Sequence, residues 1–299
     1  MTAVPATPPA RAARSLSGPV RSLALLEARH LLRHPATWLG ILACGWWLLQ
    51  TDGDWASARY DGYQAALTPM WLGFSVAMTG SFARGRSGVA DDAPMAPGAR
   101  AAARLLAGLV LVLLAAVVVG VGAVVLRAAG GVRLGDDPGR TDHAVYTLPE
   151  LLQPVLLAAF AVALGAAVVH VVRSRAASTV VLTVFWFLCG ATYWIFSGDL
   201  ARLLAPLQVQ PFSVRAGAWD ADPATFPAHW LLSAPGEYQD YWARLVVSPW
   251  LAAWHDLYVV GLAAIAAGIA LPGRARRVLV GVGLVVAVLG VGLQQVVAP

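Results

Sequence analysis

Seven apolar runs dominate this chain, at residues 36–50, 63–83, 102–127, 149–172, 178–197, 252–271 and 277–297. The longer ones reach about 20 residues, the length of helix that crosses about 30 Å of hydrocarbon. A chain with so many of them has little choice but to lie in a bilayer. Composition agrees: 12% of residues are charged and 59% are hydrophobic, against about a quarter charged in a soluble domain. The same apolar content excludes a disordered chain. The expected fold class is an all-α polytopic integral membrane protein, with residues 21–297 as a single transmembrane domain. The proline-rich residues 1–20 read as a disordered cytoplasmic tail.

The segment RSLALLEARHLLRH, residues 21–34, sets leucines against Arg21, Glu27, Arg29 and Arg33. That pattern predicts an amphipathic helix lying in the headgroup layer, or else the wet end of the first span. Pro35 follows and opens the first run, which is short for a crossing and would borrow a turn from what precedes it.

Arginine placement orients the bundle, because short cytoplasmic loops hold the positive excess. With the N-terminus inside, the inner set is Arg11, Arg14, Arg21, Arg29, Arg33, Arg84, Arg86, Arg100, Arg104, Arg173, Arg175, Arg274, Arg276 and Arg277, which is 14 of 21. Of the 16 acidic residues, only Glu27, Asp91 and Asp92 fall on that side. The expected location is therefore a cytoplasmic (inner) membrane, multi-pass, with a cytoplasmic N-terminus and, for seven spans, an outer C-terminus. The net charge of +5 serves orientation, and no basic stripe with interleaved aromatics suggests nucleic acid.

Two loops stand out. The inner loop 84–101, RGRSGVADDAPMAPGARA, mixes charge, glycine and two prolines and predicts an ordered turn or short helix. The outer segment 197–249 carries Trp219, Phe226, Trp230, Tyr238, Tyr241 and Trp242, with Trp250 directly after it. Such density suits the membrane interface and suggests short interfacial helices around Leu200 to Leu204 and Tyr238 to Val247.

Signals for chemistry are sparse. The sequence has no HExxH, GxSxG or DxDxDG, and Cys44 and Cys189 lie singly in apolar runs as small core residues. The ionisable groups nearest membrane depth are Glu150, His170, and His255 with Asp256. They make no catalytic pair by spacing, and Glu150 and Asp256 fit first-turn acids meeting a helix dipole. All 21 basic side chains are arginine. A Walker A loop needs its lysine at the β- and γ-phosphates, so this chain cannot supply a conventional ATPase site.

Three stretches carry a resemblance. LLEARHLLRHPATWLG holds Glu27, Arg29, Arg33 and Pro35 ahead of the first span. FARGRSGVADDAPMAPGARAAARLLAG holds Arg84, Arg86, Gly88, Asp91, Asp92, Pro97 and Arg100. The long outer segment then precedes SPWLAAWHDLYVVGLAA. Together they resemble the permease subunits of ABC-2 type transporters over most of residues 20–275.

The resemblance implies six to seven transmembrane helices, an N-terminal elbow helix over 21–34, a cytoplasmic coupling loop over 84–101 and an outer helical segment. It also implies a separate nucleotide-binding subunit carrying ATP and Mg, with no cofactor bound by this chain. That subunit would be contacted by Glu27, Arg29, Arg33, Arg84, Arg86, Gly88, Asp91, Asp92, Pro97 and Arg100. A second permease chain, the same or homologous, would close a substrate path near Trp46, Trp71 and Trp186. The implied function is ATP-driven export of an amphipathic, lipid, peptide or drug-like substrate. The family core has six spans, so the final run at 277–297 is an addition or one earlier run is not a full crossing. A polytopic enzyme acting on a lipid or polyprenyl substrate, and a membrane anchor that moves nothing, are the competing classes.

Overall fold

The computed structural model describes residues 17–49, 62–85, 95–131, 145–191, 203–207, 210–237 and 239–298. These are mostly helical: α1 (Ser17–Arg33), α2 (Pro35–Leu49), α3 (Gly62–Ala66), α4 (Thr68–Arg84), α5 (Pro97–Ala107), α6 (Leu109–Ala128), α7 (Leu148–Val172), α8 (Arg175–Ala191), α9 (Pro249–Ala270) and α10 (Gly273–Val297). Four helical stretches are long and apolar enough to cross a membrane, at Pro97–Ala128, Leu148–Val172, Pro249–Ala270 and Gly273–Val297. The chain is thus a multi-pass membrane protein by length and composition. The helices α2, α4 and α8 have 15, 17 and 17 residues. At 1.5 Å per residue, 15 residues span only about 22 Å.

Local chemistry explains where the helices begin. Thr147 and Glu150 form a capping box at α7, where the Glu150 carboxylate accepts from the Thr147 backbone N–H at 2.8 Å and hydroxyl at 2.6 Å. Ser248 caps α9 through its hydroxyl oxygen, which accepts from the Leu251 N–H at 3.3 Å, and Pro249 takes the first helical position, where no N–H is needed. Pro97 does the same for α5.

At the centre lies α4, with Met70, Trp71, Phe74, Ala77 and Met78 all at 0% exposure. It packs against α2, α7 and α8. One face of α4, at four-residue spacing, is polar. Trp71 Nε1 donates to the Pro154 carbonyl at 3.0 Å, Ser75 Oγ to that of Ala161 at 2.9 Å, and Thr79 Oγ1 to that of Gly165 at 3.2 Å. Interhelical hydrogen bonds and close backbone approach replace the hydrophobic effect as the association force in lipid. Gly40 supplies such an approach between α2 and α4, since a Cβ there would lie 2.5 Å from the Pro69 carbonyl oxygen. Gly261 does the same between α9 and α10.

Several boundaries differ from those expected. Helix α1 starts at Ser17, so the last four residues assigned to the tail are helical, and residues 1–16 lie outside the described set. The third run starts at Pro97 rather than 102, because a proline at the first turn and an alanine-rich continuation favour helix from that point. The larger correction concerns the outer segment. The stretch expected to be helical at Tyr238–Val247 contains strand β3 (Tyr241–Val246), placed between β1 (Phe212–Ala218) and β2 (Leu231–Ser233) in an antiparallel sheet ordered β1-β3-β2. Tyr, Trp, Leu and Val in so short a run favour the pleated conformation once two partner strands supply its hydrogen bonds. Of Leu200 to Leu204, only the last two residues are described.

Candidate functional site

The arginine-rich end of the bundle is where charged side chains meet. Helix α1 buries one carboxylate there: Glu27 is 5% exposed. Its Oε2 accepts from Ser81 Oγ and from Arg84 Nη2, each at 2.9 Å, and its Oε1 lies 3.5 Å from Arg104 Nε. The Arg104 contact is one of charge, because that N–H makes no aligned hydrogen bond. His30 Nδ1 stands 3.9 Å from the same carboxylate. Glu27 therefore ties α1 to the C-terminal turns of α4 and to α5, the two helices that bracket residues 85–96.

The corner between α1 and α2 is built around His34. Its Nδ1 accepts the Ala36 N–H at 3.2 Å, so a neutral ring carries its proton on Nε2. Burial, then the nearby charges of Arg175 and Arg84, push the His34 pKa below its usual value. Each effect disfavours a second proton. Thr37 Oγ1 and Trp38 Nε1 donate back to the Leu31 and Leu32 carbonyls, at 2.9 and 2.6 Å, and satisfy the end of α1.

The sequence-predicted contact residues separate into three groups. Glu27 and Arg84 are paired with each other, the carboxylate buried and the guanidinium exposed. Arg29 and Arg33 are exposed on α1, Pro97 is exposed at the start of α5, and Arg100 is half-buried one turn later. Arg86, Gly88, Asp91 and Asp92 lie outside the described residues. Ser81 and Arg104 join the cluster without having been singled out. Their spacing carried a signal, since Ser81 precedes Arg84 by three residues and Arg104 follows Arg100 by four, one helical face in each case.

The three tryptophans proposed for a path do not come together. Trp71 and Trp186 are both 0% exposed, with ring centroids 5.5 Å apart, and Trp186 Nε1 donates to Ser75 Oγ at 2.9 Å. They fill the core. Trp46 is 69% exposed on α2. A cavity of about 230 Å³ lies elsewhere, at the other end of the bundle, lined by Leu126, Arg127, Tyr146 and Leu151 among others.

The ionisable groups of the apolar runs are likewise dispersed. The His255 ring is buried between Gln294 Oε1 and the Pro206 carbonyl, each at 3.0 Å. Glu150 serves the α7 cap and His170 is exposed at the far end of that helix. Among the described residues, no three of His, Cys, Asp and Glu stand together as a metal site would require. Both cysteines are buried thiols.

Compared with known protein families, characterised proteins and solved structures, the chain matches none of them.

Proposed function

We propose that the chain is the membrane-spanning permease subunit of an ATP-driven transporter of the ABC-2 kind, exporting an amphipathic, lipid, peptide or drug-like substrate. One observation carries the reading: the Glu27 cluster clamps an amphipathic helix to the ends of two bundle helices at the arginine-rich face. A force applied to α1 then reaches α4, the helix at the centre of the core, without passing through a flexible link. A separate nucleotide-binding subunit, holding ATP and Mg, supplies that force in this account.

The side-chain placements refine which residues would dock. Arg29 and Arg33 present exposed surface on α1, while the buried Glu27, paired with Arg84, would hold α1 in place. Arg100 and Pro97 would dock beside them, and Arg86, Gly88, Asp91 and Asp92, which lie outside the described residues, belong to the same contact by the sequence reading. In this reading the chain makes six or seven crossings of a cytoplasmic membrane with its N-terminus inside, and α1 is the elbow. A second permease chain covers the apolar face of α2, where Trp46 would line the path.

The test is co-purification. Tagged chain isolated from its native cells in mild detergent is expected to retain a stoichiometric Walker-containing ATPase, and Arg29→Glu with Arg33→Glu to lose it while still folding. If the wild type retains no ATPase under several mild conditions, the transport reading gives way to a membrane enzyme acting on a lipid or polyprenyl substrate.

A further inference from the structure

The cavity at the end of the bundle opposite the arginine-rich one holds about 230 Å³, between the last turns of α6 and the start of α7. Ala123 of α6, Leu151 of α7 and Tyr146, in the chain entering α7, contribute to its walls. The Tyr146 ring rests on that of Tyr63, with centroids 5.2 Å apart. Val124 and Val145 line the same space and are 69% and 49% exposed, so it opens sideways to the surroundings of the bundle rather than into the core. Arg127 lines it too, exposed in the last turn of α6. At that end Arg215 and Arg244 lie over the rings of Tyr241 and Trp230, 5.5 and 5.0 Å from the centroids. Among the described residues, Arg127 has neither a ring nor a carboxylate as partner. Glu150, beside Leu151 in sequence, is turned into the α7 cap.

An aliphatic space beside one permanent positive charge suits an amphiphile of the opposite charge. Water fills such a space poorly, since each molecule needs about two to four polar partners. Drug-sized ligands need more room, with sites of about 300–1,000 Å³. A single hydrocarbon chain fits both the size and the lining, and it restores the dispersion contacts that an unfilled apolar space forfeits. The last turn of an apolar span lies near the headgroup level, where a guanidinium meets phosphate. A zwitterionic lipid brings its own cation to that phosphate, so an unpaired arginine favours a headgroup of net negative charge. We propose that this cavity seats one acyl chain of an anionic phospholipid whose phosphate pairs with Arg127. This inference needs only that the bundle sits in a membrane and does not rest on the transport reading.

The experiment uses the full-length purified chain in phosphatidylcholine nanodiscs containing a little phosphatidylglycerol with a diazirine in the upper half of one acyl chain. After photolysis, peptide mass spectrometry gives labelling at 123–127 and 145–151 relative to the exposed Val282, Val285 and Val288 of α10. The wild type is expected to label the cavity residues well above that reference. Arg127→Gln should lower the ratio about fivefold, the effect of one basic side chain near a membrane surface. Ala123→Phe fills the space and should bring the ratio down to the reference level, where phosphatidylcholine with the same diazirine should stay in every protein. Arg127 is exposed, so its variant keeps the test independent of how Ala123→Phe folds. A wild-type ratio at the reference level, or an equal ratio in folded Ala123→Phe, overturns the cavity as a chain site. Equal labelling by the two lipids, or no change in Arg127→Gln, overturns the anionic headgroup.

Discussion

Glu27 holds two arginines, and the geometry ranks them in an order that distance alone would invert. Arg84 is the closer at 2.9 Å but its side chain is 43% exposed, whereas Arg104 lies at 3.5 Å and is 12% exposed. At an effective dielectric of about 20, two unit charges 3.5 Å apart attract by about 5 kcal/mol, while at 2.9 Å in bulk water the figure is about 1.4 kcal/mol. Desolvation of Glu27 and Arg104 offsets much of the first value, leaving about 2 kcal/mol of net coupling. The exposed partner behaves as a surface pair, at about 1 kcal/mol or less. Double-mutant cycles of Glu27→Gln with Arg104→Gln, and of Glu27→Gln with Arg84→Gln, measure the two couplings through unfolding in mixed micelles. The larger coupling is expected with Arg104. A larger coupling with Arg84 would show that bond length outweighs solvent screening here and would refute the reasoning.

Two further outcomes follow from the same end and from the core. Because the folded protein disfavours the charged form of His34, the unfolded chain binds more protons below about pH 6.5, and stability must fall as pH is lowered through that value. The thermal midpoint of the wild type in neutral lipid should therefore drop between pH 7.5 and 5 by more than that of His34→Gln, and equal pH profiles would contradict the assignment. In the core, Ser75→Ala strands the Trp186 N–H and removes a second bond to the Ala161 carbonyl, which keeps its helical donor, and should cost about 1–3 kcal/mol. Adding Trp186→Phe removes the stranded donor, so the double variant should lose less than the sum of the single changes when unfolding is followed by denaturing detergent.

The apolar runs made the helices legible, since lengths near 20 residues with arginine at alternate ends leave few other arrangements. Glu27 was legible as a member of a motif, yet its burial was not. An amphipathic pattern gives the phase of a helix about its own axis and does not say what covers the polar side. The same limit governed the tryptophans. In an apolar span, Trp46, Trp71 and Trp186 look alike, and only tertiary packing separates a lipid-facing ring from two that fill the core. The strand at Tyr241–Val246 was missed because six residues rich in aromatic and aliphatic side chains fit either period, and the deciding factor is a pair of partner strands remote in sequence. The packing of His34 and Arg175 against Gly80 was invisible for a similar reason, because residues 34, 80 and 175 meet only in the folded bundle.

In the proposed transporter, α1, mounted through Glu27, receives the ATPase at the arginine-rich end. Arg29→Cys and Arg33→Cys place reactive thiols on the exposed face of α1, against a background in which Cys44 and Cys189 are buried. Trp219→Cys places one at the sheet end, on a residue 67% exposed. Cross-linking in native membranes, followed by mass spectrometry, should join positions 29 and 33 to a Walker-containing protein and leave position 219 unlinked to it. A cross-link from position 219 to that protein, or none from 29 and 33 while both thiols react with a soluble maleimide, would contradict the account.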